Sequence, residues 1–144
     1  MKLLTALRLA STGLAAQRVR MNISSMNLAN AHVTRTLDGG PYRAKNVVLG
    51  AGRLETEFEQ DLAPLLDDLE APKVVAILDD QAPFRKVYDP SHPDADEEGM
   101  VSYPNVDVLT EMVDLMAASR AYEANLSVVT ITRNLALKTL DIMR

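Results

Sequence analysis

Counting back from the carboxy terminus, every seventh residue is apolar: Met143, Ala136, Val129, Tyr122, Leu115 and Val108. The companion positions, four residues beyond each, are Met112, Ser119, Leu126, Arg133 and Leu140, of which Met112, Leu126 and Leu140 are apolar. Residues 105–144 hold neither Gly nor Pro. A seam of period near 3.5 predicts one long helix lying along another helix. At a rise of ~1.5 Å per residue the rod is roughly 55 Å long, well beyond the average globular helix. A chain of 144 residues cannot bury such a rod within itself, so the seam needs partners.

The other end of the chain repeats the pattern. Leu7, Leu14, Met21 and Leu28 are spaced by seven, with Leu4, Ser11, Arg18 and Ser25 between them. Residues 3–30 therefore read as a second long helix. Small residues gather around Gly13 (Ala10, Ser11, Thr12, Ala15, Ala16), which weakens the helix but lets another approach closely. Asn27-Leu-Ala-Asn30 reads as the stop, because Asn tolerates the left-handed conformation at a helix end.

Two seams at the two ends predict an antiparallel helical hairpin whose connection is an inserted segment. The expected division is a helical unit of residues 1–32 and 105–144 and a β-rich unit of residues 33–104. The insert differs in composition: it holds five of the six Gly and all seven Pro. Four short runs read as strands: Tyr42 to Leu49, Lys73 to Leu78, Phe84 to Tyr88, and Met100 to Tyr103. The acidic stretch Glu55 to Glu70 reads as either a short helix broken at Pro64 or a loop. The fold class expected is mainly α with a β-rich insert, an α+β arrangement.

Composition narrows the function. Apolar residues make up 47% but aromatics only 4%, with no Trp and seven Met; aliphatic side chains of this kind suit helix-on-helix packing better than a ligand pocket. The net charge of −5 comes with no basic stripe, so no nucleic-acid partner is expected. Cysteine is absent, which excludes disulfides and thiolate metal sites. No apolar run approaches the ~18 residues of a membrane span. After Lys2 the apolar run stops at Arg8, short of the ~7–15 residues of a secretion signal, so no cleaved signal is expected.

Candidate chemistry is sparse. His32 and His92 have no helix-spaced ligand partner, and no nucleophile elbow or phosphate loop occurs. Gly50-Ala-Gly52 reads as a turn. The carboxylate pairs Asp67-Asp68 and Asp79-Asp80 are neighbours in sequence, and such side chains point apart. In the loop Asp89 to Gly99, Asp94, Asp96, Glu98 and Gly99 fit the opening of a calcium loop, but its twelfth position is Asn105 and not the Glu that chelates the ion. The loop reads instead as a turn, with Pro90 and Pro93 restricting φ, Asp89 and Asp94 bonding nearby amides, and Gly99 free to take positive φ. Asn105 then reads as the N-cap of the long helix. Neither a cofactor nor an enzymatic activity is expected.

Several stretches carry a family resemblance. Ser11-Thr-Gly-Leu-Ala-Ala-Gln17, Asn22 and Asn27-Leu-Ala-Asn30 resemble the amino-terminal signature of the bacterial flagellar rod and hook axial proteins. Three further motifs resemble the proximal rod subunits among them: Gly40-Pro-Tyr-Arg43 with Lys45; Tyr88-Asp-Pro-Ser-His-Pro-Asp-Ala-Asp96 with Gly99 and Pro104-Asn-Val106; and Glu111-Met-Val-Asp-Leu-Met116 with Ala118-Ser-Arg-Ala-Tyr-Glu-Ala-Asn125. No motif is visible between Leu49 and Lys86, and Ala31-His-Val-Thr34 departs from the usual run.

The resemblance implies a structural subunit of the flagellar basal-body rod, exported uncleaved through the flagellar type III export apparatus and assembled in the periplasm. Its partners would be other copies of itself, other rod subunits, the adaptor protein between rod and inner-membrane ring, and the inner-membrane (MS) ring. The helices would form an inner tube and the insert its outside. The expected subunit interface is the two seams: Leu7, Leu14, Met21 and Leu28, with Val108, Met112, Leu115, Tyr122, Leu126, Val129 and Leu140. Two other classes make different predictions. A cytoplasmic coiled-coil adaptor or chaperone predicts a small soluble oligomer, and a calcium-dependent binding module predicts a structural response to calcium.

Overall fold

The computed structural model describes residues 2–37, 39–53 and 70–142. Its elements run α1 (Lys2–Ala29), β1 (Lys45–Arg53), β2 (Glu70–Asp79), β3 (Arg85–Tyr88), β4 (Met100–Tyr103) and α2 (Val108–Ile142). The chain is α+β: two long terminal helices with short antiparallel strands between them. The acidic stretch read as helix or loop lies outside the described residues, apart from Glu70, which opens β2.

The helices run antiparallel. Asn27 meets Glu111, Arg20 meets Asp114, and Gly13 meets Asn125, so positions rise on one helix as they fall on the other. Their ends are set by side chains. At the end of α1 the Asn30 amide N–H donates to the carbonyls of Met26 and Asn27, and its Nδ2 donates to the Met26 carbonyl at 2.8 Å. This corrects the expected left-handed stop: among the described residues the only ones with positive φ are Gly39, Gly40 and Gly99. The cap of helix α2 lies two residues later than expected. Asp107, not Asn105, accepts from the Leu109 amide (3.2 Å) and the Thr110 hydroxyl (2.6 Å), satisfying first-turn donors.

Strands β1 and β2 form a two-stranded ribbon, and β3 and β4 a second. In the first, Val48 pairs with Ala76 and Leu49 with Val74, so Val75 is an extra residue on β2. Gly50 makes room for that bulge: a Cβ there would lie 2.6 Å from Val75 Cγ2. Strand β1 starts later than the sequence pattern predicts, because Tyr42 and Arg43 are engaged elsewhere, and it runs on through Gly50-Ala-Gly52, which pair with Lys73, Pro72 and Ala71 and are not the turn expected there. The second ribbon matches its expected bounds closely. Its turn closes with the Asp89 amide donating to the Gly99 carbonyl at 2.9 Å, and Gly99 takes φ +74°.

The core is thin. Among the described residues its buried apolar members are Ala10, Ala16, Ile23, Ala31, Ala44, Ala71, Ala118 and Val101. Six of these eight are alanine, so the helices approach closely and bury little area.

Candidate assembly surface

The inward contact between the helices is made by small side chains. Ala10, Gly13 and Ala16 on α1 are buried, as is Ala118 on α2. Of the expected seam, Leu7, Leu14, Met21 and Leu28 on α1 and Leu115, Tyr122 and Val129 on α2 are half-buried. Val108, Met112, Leu126 and Leu140 are exposed. Within this chain the heptad positions therefore flank the helix contact and do not fill it.

A large apolar surface is left open on α2. Leu109, Met112, Val113, Met116, Ile131 and Leu135 recur at helical spacing on its outward side, with Leu109 72% and Ile131 59% exposed. They fall in two groups, Leu109 to Met116 and Ile131 to Leu135, with the exposed Arg120, Glu123 and Ser127 between them, and clustered exposed aliphatics of this kind mark an interaction surface. The opposite face of α1 is different. Arg8, Ser11, Ala15, Arg18, Asn22 and Ser25 are exposed there, a polar and small-residue stripe.

Where the helices meet the insert, polar side chains form a joint. Asn27 is 1% exposed and uses its full bonding capacity. Its Nδ2 donates to the Lys45 carbonyl (2.9 Å) and to Glu111 Oε1 (2.7 Å), and its Oδ1 accepts from the Tyr42 hydroxyl (2.9 Å) and the Lys45 amide (3.0 Å). Asn105 does similar work: its Oδ1 accepts from the Ala44 amide, and its Nδ2 donates to the carbonyls of Asp80 and Ala82. Arg43 donates to the same two carbonyls while its guanidinium lies 4.3 Å from the centre of the Phe84 ring. Burial pushes the Tyr42 phenol up from its ordinary pKa. The hydrogen bond to Asp79 raises that of Lys45. Beside the joint lies a polar groove of about 250 Å³, lined in part by Arg20, Lys45, Glu111 and Asp114.

The turn between β3 and β4 uses its acids internally. Asp89 Oδ1 accepts from the Ser91 hydroxyl and amide, which holds its carboxyl below the usual range. Asp96 Oδ1 accepts from the amides of Glu98 and Met100. Asp94 Oδ2 accepts from the Thr34 hydroxyl, its other oxygen lies 3.8 Å from Arg35, and its amide donates to His92 Nδ1. Asp94 thus ties this turn to the chain leaving α1. Among the described residues no cluster of three His, Cys, Asp or Glu is placed to hold a metal ion, and no helix is long and apolar enough to cross a membrane.

The small-residue run around Gly13 was legible as a close approach, but the joint was not: Asn27 read as part of a helix stop, Asn105 as an N-cap, Tyr42 as the start of a strand and Glu111 only as a member of a motif. Their partners lie 15 to 84 positions away.

Paired terminal helices around a β-rich insert, with an uncovered aliphatic face, define a subunit built for assembly. A family model described as flagellar basal body rod FlgEFG protein C-terminal matches residues 97–142, which makes that end of the chain similar to flagellar basal-body rod proteins. Full-length relatives narrow it. The flagellar basal-body rod protein FlgC of Salmonella typhimurium is 43% identical over 142 residues, covering 99% of this chain and 98% of the relative. FlgC of Borreliella burgdorferi is 38% identical over 154 residues, covering 100% and 99%, and FlgC of Bacillus subtilis 39% over 143 residues, covering 95% of each. The chain belongs to the FlgC family of flagellar basal-body rod proteins. It is a structural subunit of the rod, and its place is the flagellar basal body.

Proposed function

We propose that this subunit occupies the proximal rod and helps form the hollow shaft that carries torque from the inner-membrane ring to the hook. In this reading α1 and α2 pack with the helices of neighbouring subunits as an inner tube around the export channel, and residues 33–104 lie outside it. The observation that carries it is the pair of aliphatic clusters that the chain leaves uncovered on α2, Leu109, Met112, Val113 and Met116 near its start and Ile131 and Leu135 further along. Burial of such surface is worth about 25 cal/mol per Å², and in a polymer the gain recurs at every subunit. The seam residues Leu7, Leu14, Met21, Leu28, Val108, Met112, Leu115, Tyr122, Leu126, Val129 and Leu140 supply or flank the interface.

The partners are other copies, other rod subunits, the adaptor between rod and inner-membrane ring, and the ring itself. The chain reaches them uncleaved, through the flagellar type III export apparatus, and assembles in the periplasm. The role is mechanical and not enzymatic. Gene deletion with complementation tests it. Loss of swimming with the inner-membrane ring still present, restored by the wild-type gene but not by one carrying Met112→Asp with Val113→Asp, is the expected result. Normal swimming in the deletion strain would overturn the reading.

A further inference from the structure

We infer that Asn27 is a positioning residue: its carboxamide, held between Glu111 and Lys45, sets the pose of the β1–β2 ribbon on the helix pair. The ribbon needs such a device because packing does not supply one. It lies against α1, yet of β1 and β2 only Ala71 is fully buried, with Val47, Val74 and Ala76 half-buried, so small apolar side chains hold its place but only loosely its orientation. Val48, Leu49, Val75, Ile77 and Leu78 are all exposed.

Asn27 supplies the missing geometry. It accepts from the amide of Lys45 and donates to the carbonyl of the same residue. A carboxamide that meets both backbone groups of one strand residue imitates a neighbouring strand, and two bonds fix an orientation that one bond leaves free. The remaining donor goes to Glu111, in the first turn of α2, and the remaining lone pair takes the Tyr42 hydroxyl. One side chain thereby ties α1, α2, the approach to β1 and β1 itself. Its bond to Glu111 has an ionised acceptor, the stronger kind. Because the site is buried, an unmatched group there carries its desolvation cost in full. Asn105 and Arg43 brace the same end of the ribbon at Ala44, Asp80 and Ala82.

The assignment makes an asymmetric prediction. Asn27→Asp keeps the acceptor toward Tyr42 and the Lys45 amide but turns the donor into a second carboxylate oxygen facing Glu111 and the Lys45 carbonyl. Glu111→Gln alone keeps an acceptor for Asn27 and costs little. Combined with Asn27→Asp, it restores a donor–acceptor pair across the helices.

The chain has no cysteine, so spin labels can be placed at Lys73→Cys on β2 and Ala117→Cys on α2 without competing sites. Electron-spin distance measurements on the full-length monomer read the pose without requiring rod assembly, so the result is independent of the proposed place in the rod. A single narrow distance distribution is expected for the parent and for Glu111→Gln, a broad one for Asn27→Asp, and a narrowed one for the double variant. A broad parent distribution, a narrow Asn27→Asp distribution, or a double variant as broad as Asn27→Asp alone would each overturn the assignment. Should Asn27→Asp lose its helical signal, Asn27→Ala decides, since it removes the carboxamide without adding a charge: broadening supports the assignment and an unchanged narrow distribution overturns it.

Discussion

Gly13 faces Asn125 across the helix pair so closely that a Cβ on the glycine would lie 3.0 Å from Asn125 Nδ2 and 3.2 Å from its Cγ. The absence of a side chain on α1 is thus matched to a particular polar residue on α2. Gly13→Ala gains up to ~1 kcal/mol of helix propensity and loses part of it in shifting Asn125, so its net effect is small. Gly13→Leu cannot be absorbed by a side-chain shift and costs ~1–3 kcal/mol through overpacking. Thermal melts followed by helical circular dichroism check the contrast. Equal melting of the Leu variant and wild type would show that the helices do not approach here in solution.

The thin helix contact predicts a gradient of order along the free chain. Helices draw most of their stability from tertiary packing, and the buried apolar residues between α1 and α2 are mainly alanines. Hydrogen exchange on the monomer should show strongest protection near the Asn27–Glu111 joint and weakest protection over residues 2–9 and 130–142. Uniform strong protection along both helices in a verified monomer would contradict this.

Leu115 and Leu126 should respond to charge in different ways. Leu115 is half-buried beside α1, whereas Leu126 is 48% exposed. Leu115→Asp lowers the stability of the chain itself, on the scale of ~2–5 kcal/mol seen for truncating a buried Leu. Leu126→Asp leaves the monomer melt nearly unchanged and blocks incorporation into the rod. Monomer melting combined with a swimming assay separates the two, and normal swimming in both variants would remove these positions from the interface.

The start of α2 carries a pH dependence. The Thr110 hydroxyl, and secondarily the Leu109 amide, hold the Asp107 carboxyl below its ordinary range. A depressed carboxyl contributes stability that is complete above its unfolded pKa of about 3.9 and is lost as pH falls through the lower folded value. Asp107→Ala should lower the melting temperature at neutral pH and flatten the acid limb. Asn105→Ala, at the position expected to be the cap, removes three bonds at the root of the insert. It should cost ~1–3 kcal/mol for the partners left unsatisfied.

The turn at Asp89 to Gly99 should not respond to calcium. Asp96→Asn retains an acceptor for the amides of Glu98 and Met100, while Asp94→Asn weakens the ties to Thr34 and Arg35. Calorimetric titration of the wild type and the double variant is expected to show no saturable binding in either. Binding in the wild type that the double variant loses would revive the calcium reading.

Local pattern was enough for the long elements. Uninterrupted apolar periodicity located α1 and α2, their positions at opposite ends of the chain implied antiparallel pairing, and β-branched and aromatic runs bounded by Pro and Gly located the ribbons. The turn chemistry of Asp89 and Gly99 was equally local, because Asp89 acts on Ser91 two positions away and Gly99 supplies its own positive φ, whereas Asp94, expected to bond a nearby amide, reaches Thr34 and Arg35 at the far end of the insert. Which stripe of each helix faces inward was decided only in three dimensions. Both helices carry Leu and Met on more than one side, so periodicity offers several apolar stripes, and the one chosen within the chain is that of Ala10, Gly13, Ala16 and Ala118, where backbones come closest. Asn27 and Asn105 read as helix caps because propensity rules see only sequence neighbours. Their actual partners, Glu111 for one and Ala44 for the other, lie 84 and 61 residues away and come within reach only when the helices and the insert have docked.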